Sequence, residues 1–460
     1  MQAPGTPSGT RDFSSCEMMR RNYIFDAIRG VFRLHGFNQI ETPAMENMST
    51  LTGKYGEEGD RLMFRILNSG NFLSRTKLDD LHSEDYRTLS NRICEKGLRY
   101  DLTVPFARYV CQHRHELTFP FRRYQIQPVW RADRPQRGRY REFYQCDADI
   151  IGSKSLLNEL ELLQIIDEVF KQLNLRVVIN LNSRKILTGV TQTVCKTDRI
   201  SDVSAVIDKL DRFGMEYVTT ELMKKGVHSQ SIASLEQLLF MTGTNEEKLC
   251  RMKEVLAESE IGMEGVTETE NILKKISRSE ISTGVEFDLA LARGLDYYTG
   301  TIIEVKSLDL ESGSIAGGGR YDNLTGIFGL QGMSGVGVSF GAERIYDIMD
   351  KFGLFPENST QGTKIMFVNF GDSESEYLLP IISSLRKGGI PTELFPDAIR
   401  MKKQLAYASE RGIPFVGIAG EAEISCGKIV LKKMQTGNQE NVAVEDIVAF
   451  VQNCNTTPDS

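Results

Sequence analysis

The residues best suited to chemistry stand in Phe121–Arg141, where seven arginines and one aspartate fall within 21 residues. That run is +6 inside a chain whose 55 basic and 62 acidic residues leave it at −7. Any contact with a polyanion must therefore come from a local patch and not from global charge. The cations are guanidinium groups throughout, which suits two-pronged recognition of phosphate or carboxylate. Tyr124, Trp130, Tyr140, Phe143 and Tyr144 are interleaved or close behind, and rings with guanidinium planes can sandwich a nucleobase. A solvated basic hairpin is the plain alternative.

Three further segments combine polar side chains with glycine. Ala292-Arg-Gly-Leu-Asp-Tyr-Tyr-Thr-Gly300 is a polar and aromatic knot between two apolar strands, and reads equally as a tight turn with buried tyrosines. In Ala316-Gly-Gly-Gly-Arg-Tyr-Asp322 three glycines let the backbone approach a ligand closely, or make a flexible hairpin. Gly335-Val-Gly-Val-Ser-Phe-Gly-Ala-Glu-Arg344 reads as a glycine-spaced strand entering a helix, with Arg344 in its first turns, where anions are favoured. A P-loop signature is absent, and G-x-G-x-x-G does not follow the first strand of the C-terminal region. The eight cysteines lie far apart with no C-x-x-C pair, which argues against a zinc site or a disulfide framework. Of five histidines the closest pair, His113 and His115, would point apart on a strand or a helix, so a histidine-based metal site or triad is not expected.

The elements that must position these residues follow from periodicity. At 460 residues the chain corresponds to roughly three domains of about 150. Ser14 and Glu17 have capping-box spacing, and Ile24, Ile28, Val31 and Phe32 recur at helical period until Gly36. Phe37 to Pro43 reads as an edge strand. Short strands are expected on both sides of the arginine-rich turn from Phe121 to Ile151, then a helix from Glu159 to Leu173. Residues 182–278 are helix-prone and free of proline, as a helical insertion would be. Strand patterns resume at Gly284 and at Thr301. Beyond the breaker-rich stretch 355–363, apolar runs at Ile365–Phe370, Ile390–Phe395 and Ile413–Ala419 alternate with helical patterns, the signature of βαβ units on a mostly parallel sheet. The expected division is 1–181 and 279–355 for two parts of one domain, 182–278 for the insertion, and 364–460 for a terminal α/β domain. The first fifteen residues lack an apolar signal core and no apolar run is long enough to span a bilayer, so a cytoplasmic protein is expected.

Taken in order, these segments resemble the histidyl-tRNA synthetases, a family of class II aminoacyl-tRNA synthetases. Gly9-Thr-Arg-Asp-Phe13 and the helix and strand ending at Pro43 are similar to the family's N-terminal signature and its dimer-forming motif 1. Leu98-Arg-Tyr-Asp-Leu-Thr-Val-Pro105 looks like its substrate-binding strand, and Trp130 to Gln145 like motif 2. Arg293-Gly-Leu-Asp-Tyr-Tyr298 and Gly317-Gly-Gly-Arg-Tyr-Asp322 resemble two histidine-specific segments, and Gly335 to Arg344 resembles motif 3.

The resemblance implies an α+β catalytic domain on a six- or seven-stranded antiparallel sheet, a helical insertion, and a C-terminal α/β domain that binds the anticodon. It implies that histidine attacks the α-phosphate of ATP, with Mg²⁺ on the outer phosphates, to give histidyl-adenylate, and then passes to the 3′ ribose of tRNA(His). It also implies a homodimer. By position it assigns Asp101, Thr103 and Gln145 to the amino and carboxylate ends of histidine, and Asp149 to the imidazole, with Tyr297 and Tyr298 alongside. Arg131 and Arg293 correspond to the arginines on the α-phosphate, with Arg293 also in the histidine pocket. Arg139 and Arg344 correspond to those near the outer phosphates and adenine. A carboxylate facing an imidazole N–H rejects side chains lacking the donor, because its lone pairs would be left unpaired.

Where many relatives carry Glu, positions 101 and 149 carry Asp, so the shorter reach either alters the pocket or admits a water. The stretch between Asn68 and Gly97 is longer than in many relatives. From Lys364 to Ser460 there are 10 basic and 12 acidic residues, so an RNA-facing charge would have to be concentrated, as around Arg400, Lys402 and Lys403. An exposed helix face is the bland account of those three. Two other readings compete: a synthetase-like subunit that senses histidine or uncharged tRNA without charging it, and a class II enzyme of other specificity. Retention of Arg131, Arg293, Arg344 and the terminal region favours the enzyme.

Overall fold

The computed structural model describes residues 4–53, 56–74, 76, 86–136, 138–292, 297–310, 313–356 and 362–453. Its chain forms two compact units, residues 1–12 with 21–354 and residues 13–20 with 355–460.

The larger unit is built on a sheet of eight strands. In spatial order they are Asn38–Gln39, Phe121–Trp130, Glu142–Ile151, Gly335–Gly341, Ser314–Tyr321, Thr301–Ser307, Val177–Ser183 and Gly284–Phe287. The six central strands are antiparallel, and the two short edge strands are each parallel to their neighbour. The edges account for the excess over the six or seven strands expected. Pro43 stands just past the first of them, where a lost N–H costs no ladder bond.

Helices cover this sheet for reasons visible in their spacing. Along Ser15–Leu34 the side chains of Ile24, Phe25, Ile28, Val31 and Phe32 form one buried stripe. Ser14 and Glu17 close its first turn reciprocally, with Ser14 N–H donating to Glu17 Oε2 at 2.7 Å and Glu17 N–H to Ser14 Oγ at 3.3 Å. Gly36, at φ +74°, follows the end of that helix. Leu157–Gln172 buries Leu162, Leu163, Ile165, Ile166 and Val169.

Residues 184–276 form six helices, from Arg184–Thr193 to Glu260–Ile276. Gly189 and Gly262 let those two helices touch, since a Cβ on Gly189 would lie 2.8 Å from Gly262 Cα. The apolar core of these helices runs on into Phe287, Leu289, Tyr298 and Ile302, so the helical segment abuts one end of the sheet. The segment Leu98–Pro105 departs from expectation. Its strand is only Lys96–Leu98, and Thr103 already opens the helix Thr103–Gln112. The long stretch 69–97 lies partly outside the described residues.

The second unit carries a five-stranded sheet in the order Thr392–Leu394, Ile365–Phe367, Phe415–Ile418, Lys428–Lys433, Gln439–Ala443. Its first three strands are parallel; the last two run antiparallel as a hairpin, so the sheet is evenly mixed where a mostly parallel one was expected. The reason lies in the hairpin's sequence. Ile429 and Leu431 are buried while Lys428 is exposed and Val430 and Lys432 are partly so, the alternation of a half-covered antiparallel strand. Arg400, Lys402 and Lys403 are all exposed around the start of the helix Met401–Glu410. Among the described residues, no helix is long and apolar enough to cross a membrane.

Candidate active site

A cavity of about 440 Å³ opens on one face of the eight-stranded sheet. Its lining includes Asp101, Thr103, Arg131, Arg139, Gln145, Asp149, Tyr297, Tyr298 and Arg344, nine side chains from five separate stretches of sequence. Arg293 lies outside the described residues.

Strand pairing explains the floor. Phe121–Trp130 and Glu142–Ile151 pair over their full length, with Gln127 opposite Gln145, Gln125 opposite Asp147, and Arg123 opposite Asp149. Alternate residues share a face, so Gln145, Asp147 and Asp149 line the cavity together while Cys146, Ala148 and Ile150 enter the core. Asp147 was missed by the sequence reading, although its period-two spacing between Gln145 and Asp149 was a usable signal.

Asp149 is 3% exposed and firmly held. The Tyr321 hydroxyl donates to its Oδ1 at 2.6 Å, and Arg123 Nη2 lies 2.7 Å from its Oδ2. Arg123 is itself fully buried, with its guanidinium 4.3 Å from the centre of the Phe106 ring. Burial pushes the Asp149 carboxyl above the usual range, while Arg123 and the Tyr321 hydroxyl pull the other way. Burial raises Asp147 to about 7, against the pull of Arg123 and with a push from Asp149. Asp101 is also buried, and its Oδ1 accepts from Val104 N–H at 3.1 Å.

The glycines are close-packing devices and not a hinge. Gly317, Gly318 and Gly319 sit buried within the strand Ser314–Tyr321. A Cβ on Gly318 would fall 1.9 Å from Gly337 O, and one on Gly335 would fall 2.4 Å from the Tyr321 ring. Bare backbone there makes room for Tyr321 to reach Asp149. Arg320, one residue earlier, points the other way. Its Nη2 donates to Glu159 Oε2 at 2.6 Å and its Nε pairs with Oε1, both partners buried, so it stabilises the fold beneath the sheet.

The opposite end of the cavity is cationic. Arg131 Nε donates to Tyr100 O at 3.1 Å, and its guanidinium lies 4.3 Å from the Tyr100 ring centre and 5.2 Å from that of Phe143. Arg139 stands 3.7 Å from Asp133, and Arg344 donates from Nε to Gly138 O at 3.3 Å and from Nη1 to Ser314 O. Among the described arginines, these two and Arg131 line the cavity. The basic run therefore does not act as one platform. Arg122 pairs with Glu161, and Arg141 donates to Asp133 O and Ser8 O. Tyr140 and Phe143 line the cavity, whereas Tyr124 packs on Phe32, Tyr144 on Phe25, and Trp130 Nε1 donates to Glu142 at 2.7 Å.

A recess lined by buried acids can hold an amino acid's cationic end, and the arginines lining the same cavity, Arg131 among them packed on rings, can hold a polyphosphate. Both stand on one antiparallel floor, and the chain also carries a separate terminal α/β unit, the combination found in class II aminoacyl-tRNA synthetases. The profile described as Histidyl-tRNA synthetase matches residues 90–345, and that described as Anticodon binding domain matches residues 364–454. The chain is 56% identical over 449 residues to the histidine–tRNA ligase of Phocaeicola vulgatus, covering 98% of this chain and 99% of the relative. It is 56% identical over 440 residues to that of Porphyromonas gingivalis, covering 96% and 97%. The crystal structure of histidyl-tRNA synthetase from Nostoc sp. PCC 7120 superposes with a TM-score of 0.83 at 30% identity, covering 99% of this chain and all of that one. The chain belongs to the histidyl-tRNA synthetase family, and its activity is that of a histidine–tRNA ligase.

Proposed function

We propose that the cavity activates L-histidine with ATP, the acid row holding the amino acid and the arginines the triphosphate, before the histidyl group passes to tRNA(His). The observation that carries this reading is the shared cavity, where Asp149 is clamped by Tyr321 and Arg123 while the Arg131 guanidinium packs near the rings of Tyr100 and Phe143.

The roles follow from charge. Asp149 accepts the imidazole N–H, with Tyr297 and Tyr298 beside the ring. Asp101, Thr103 and Gln145 receive the amino and carboxylate ends. The histidine carboxylate then attacks the α-phosphorus. Negative charge grows on the α-phosphate oxygens as pyrophosphate leaves, so a fixed guanidinium there stabilises the transition state more than the ground state. Arg131 and Arg293 take that role, and Arg139 and Arg344 hold the outer phosphates and adenine. Mg²⁺ enters as the MgATP substrate. Its place is on the outer phosphates of ATP.

The proposed organisation is 1–181 and 279–355 for the catalytic domain, 182–278 for the insertion, and 364–460 for the anticodon-binding domain, in a cytoplasmic homodimer. Exposed Leu34, Met45, Leu67, Phe72 and Leu73 supply apolar surface for a second copy. Histidine-dependent exchange of pyrophosphate into ATP tests the chemistry. Exchange should require histidine and be lost with Arg131→Ala. Histidine binding by pure protein with no exchange would instead describe a sensor.

A further inference from the structure

Among the described residues, two buried acceptor atoms in the cavity have no donor. Asp147 is 2% exposed and its Oδ1 has no hydrogen-bond partner; Gln145 is part-buried, and its Oε1 atom, itself buried, has none either. The neighbouring acids differ. Asp149 has both oxygens engaged by Tyr321 and Arg123, and Asp101 Oδ1 takes the Val104 N–H.

The orientation of the pair is built in by the adjoining strand. Ser339 stands directly across from Asp147 in register. Gln145 Nε2 donates to Ser339 Oγ at 2.9 Å, and the Ser339 hydroxyl hydrogen-bonds the Asp147 carboxyl. The amide nitrogen is thereby occupied and the amide oxygen left over. An unpaired buried acceptor has lost its water without replacement, a cost recovered only when a donor arrives. Two residues apart on one strand face, these acceptors stand roughly 7 Å apart at their backbones, within reach of one small multi-donor group. An ammonium carries three donors.

We infer that Asp147, together with Gln145, receives the α-ammonium of the bound amino acid, a carboxylate anchor additional to Asp101. This rests on the reading of the cavity as the amino-acid site. The groups acting on Asp147 are Arg123 from the adjoining strand, which favours its charged form, and Asp149 and Asp101, which oppose it. With burial they hold the carboxyl at about 7, so near neutrality the empty pocket is partly protonated. Arrival of the ammonium draws out the charged form, and the proton leaves to solvent.

The test is calorimetry of L-histidine binding to the full chain near neutral pH, in two buffers of different ionisation enthalpy. The wild type should release protons on binding. Asp147→Asn should abolish that release and raise the KM for histidine by about tenfold or more, the scale of one charge-assisted hydrogen bond, with the KM for ATP held. The analogue 3-(imidazol-4-yl)propanoate shares the titrating ring but lacks the amine, and should bind both proteins alike without this release. Equal histidine KM in Asp147→Asn and wild type overturns the inference. So does equal proton release by histidine and the amine-free analogue in wild type, an arm that stands even where the variant fails to fold. Loss of histidine use in Asp149→Asn with none in Asp147→Asn removes only the ammonium assignment, whereas wild type that binds no histidine removes the reading of the cavity itself.

Discussion

A Cβ placed on Gly337 would lie 2.0 Å from Asp149 Oδ1, so the carboxylate occupies the space a side chain on the adjoining strand would fill. Gly337 and Asp149 are direct register partners. Gly337→Ala should therefore push Asp149 off Tyr321 and Arg123. The expected outcome is a loss of histidine use greater than the loss of ATP use, with a stability cost of about 1–3 kcal/mol from overpacking. Pyrophosphate-exchange kinetics at varied histidine, beside thermal unfolding, checks it; unchanged histidine kinetics would show that Asp149 has slack.

Asp149→Asn tests the imidazole assignment directly. It leaves shape nearly intact but puts an N–H₂ where an acceptor is needed. Histidine use should weaken by about 2–4 kcal/mol while ATP binding is spared. Equal loss for both ligands would mean that Asp149 does not read the ring.

Arg293→Ala tests the phosphate assignment. An interaction made chiefly in the transition state should, when removed, slow adenylation and leave histidine affinity near normal. Single-turnover rates together with equilibrium binding separate the two, and a collapse of affinity with the saturated rate intact would remove Arg293 from the α-phosphate.

Arg320→Ala probes the fold beneath the site. Glu159 is fully buried, and losing its bidentate partner leaves an uncompensated charge. A cost of about 3–5 kcal/mol is expected. The melting temperature should fall well below that of wild type, and Arg320→Lys should recover only part of it, because an ammonium cannot span both oxygens.

Stability of the ligand-free protein should carry the signature of Asp147. Its carboxyl titrates at about 7 when folded and near 3.8 when free, so between those values the folded state binds the extra proton. Its contribution to stability is therefore intact below about 4 and is lost as pH rises through about 7. The melting temperature of Asp147→Asn relative to wild type should climb from pH 5 to pH 8 and then level off. A flat difference across that range would place the titration elsewhere.

Much of this was legible in local sequence. Helical spacing marked Ser15–Leu34 and Leu157–Gln172, the capping pair Ser14 and Glu17 stood out by type and spacing, and apolar runs marked the three parallel strands of the C-terminal sheet but not its antiparallel hairpin. These features depend on neighbours within a few residues, where periodicity and hydrogen-bond reach operate. Ordered motifs also indicated which side chains would meet, because their resemblance carries tertiary information that spacing lacks.

What the sequence by itself determined was the supply of groups: guanidinium-rich turn, paired acids on alternate positions, and glycines where backbone must pass close. Only the tertiary structure decided which of them face the cavity. Register across Glu142–Ile151 turned Asp147 inward beside Asp149, and register across Ser314–Tyr321 sent Tyr321 to Asp149 and Arg320 to Glu159. It also sent Arg122 and Arg141 away from the site that Arg131 and Arg139 line. The physical reason is that successive side chains on a strand point to opposite faces, so burial partners chosen across the sheet, far away in the chain, settle which of two neighbouring polar residues faces the cavity.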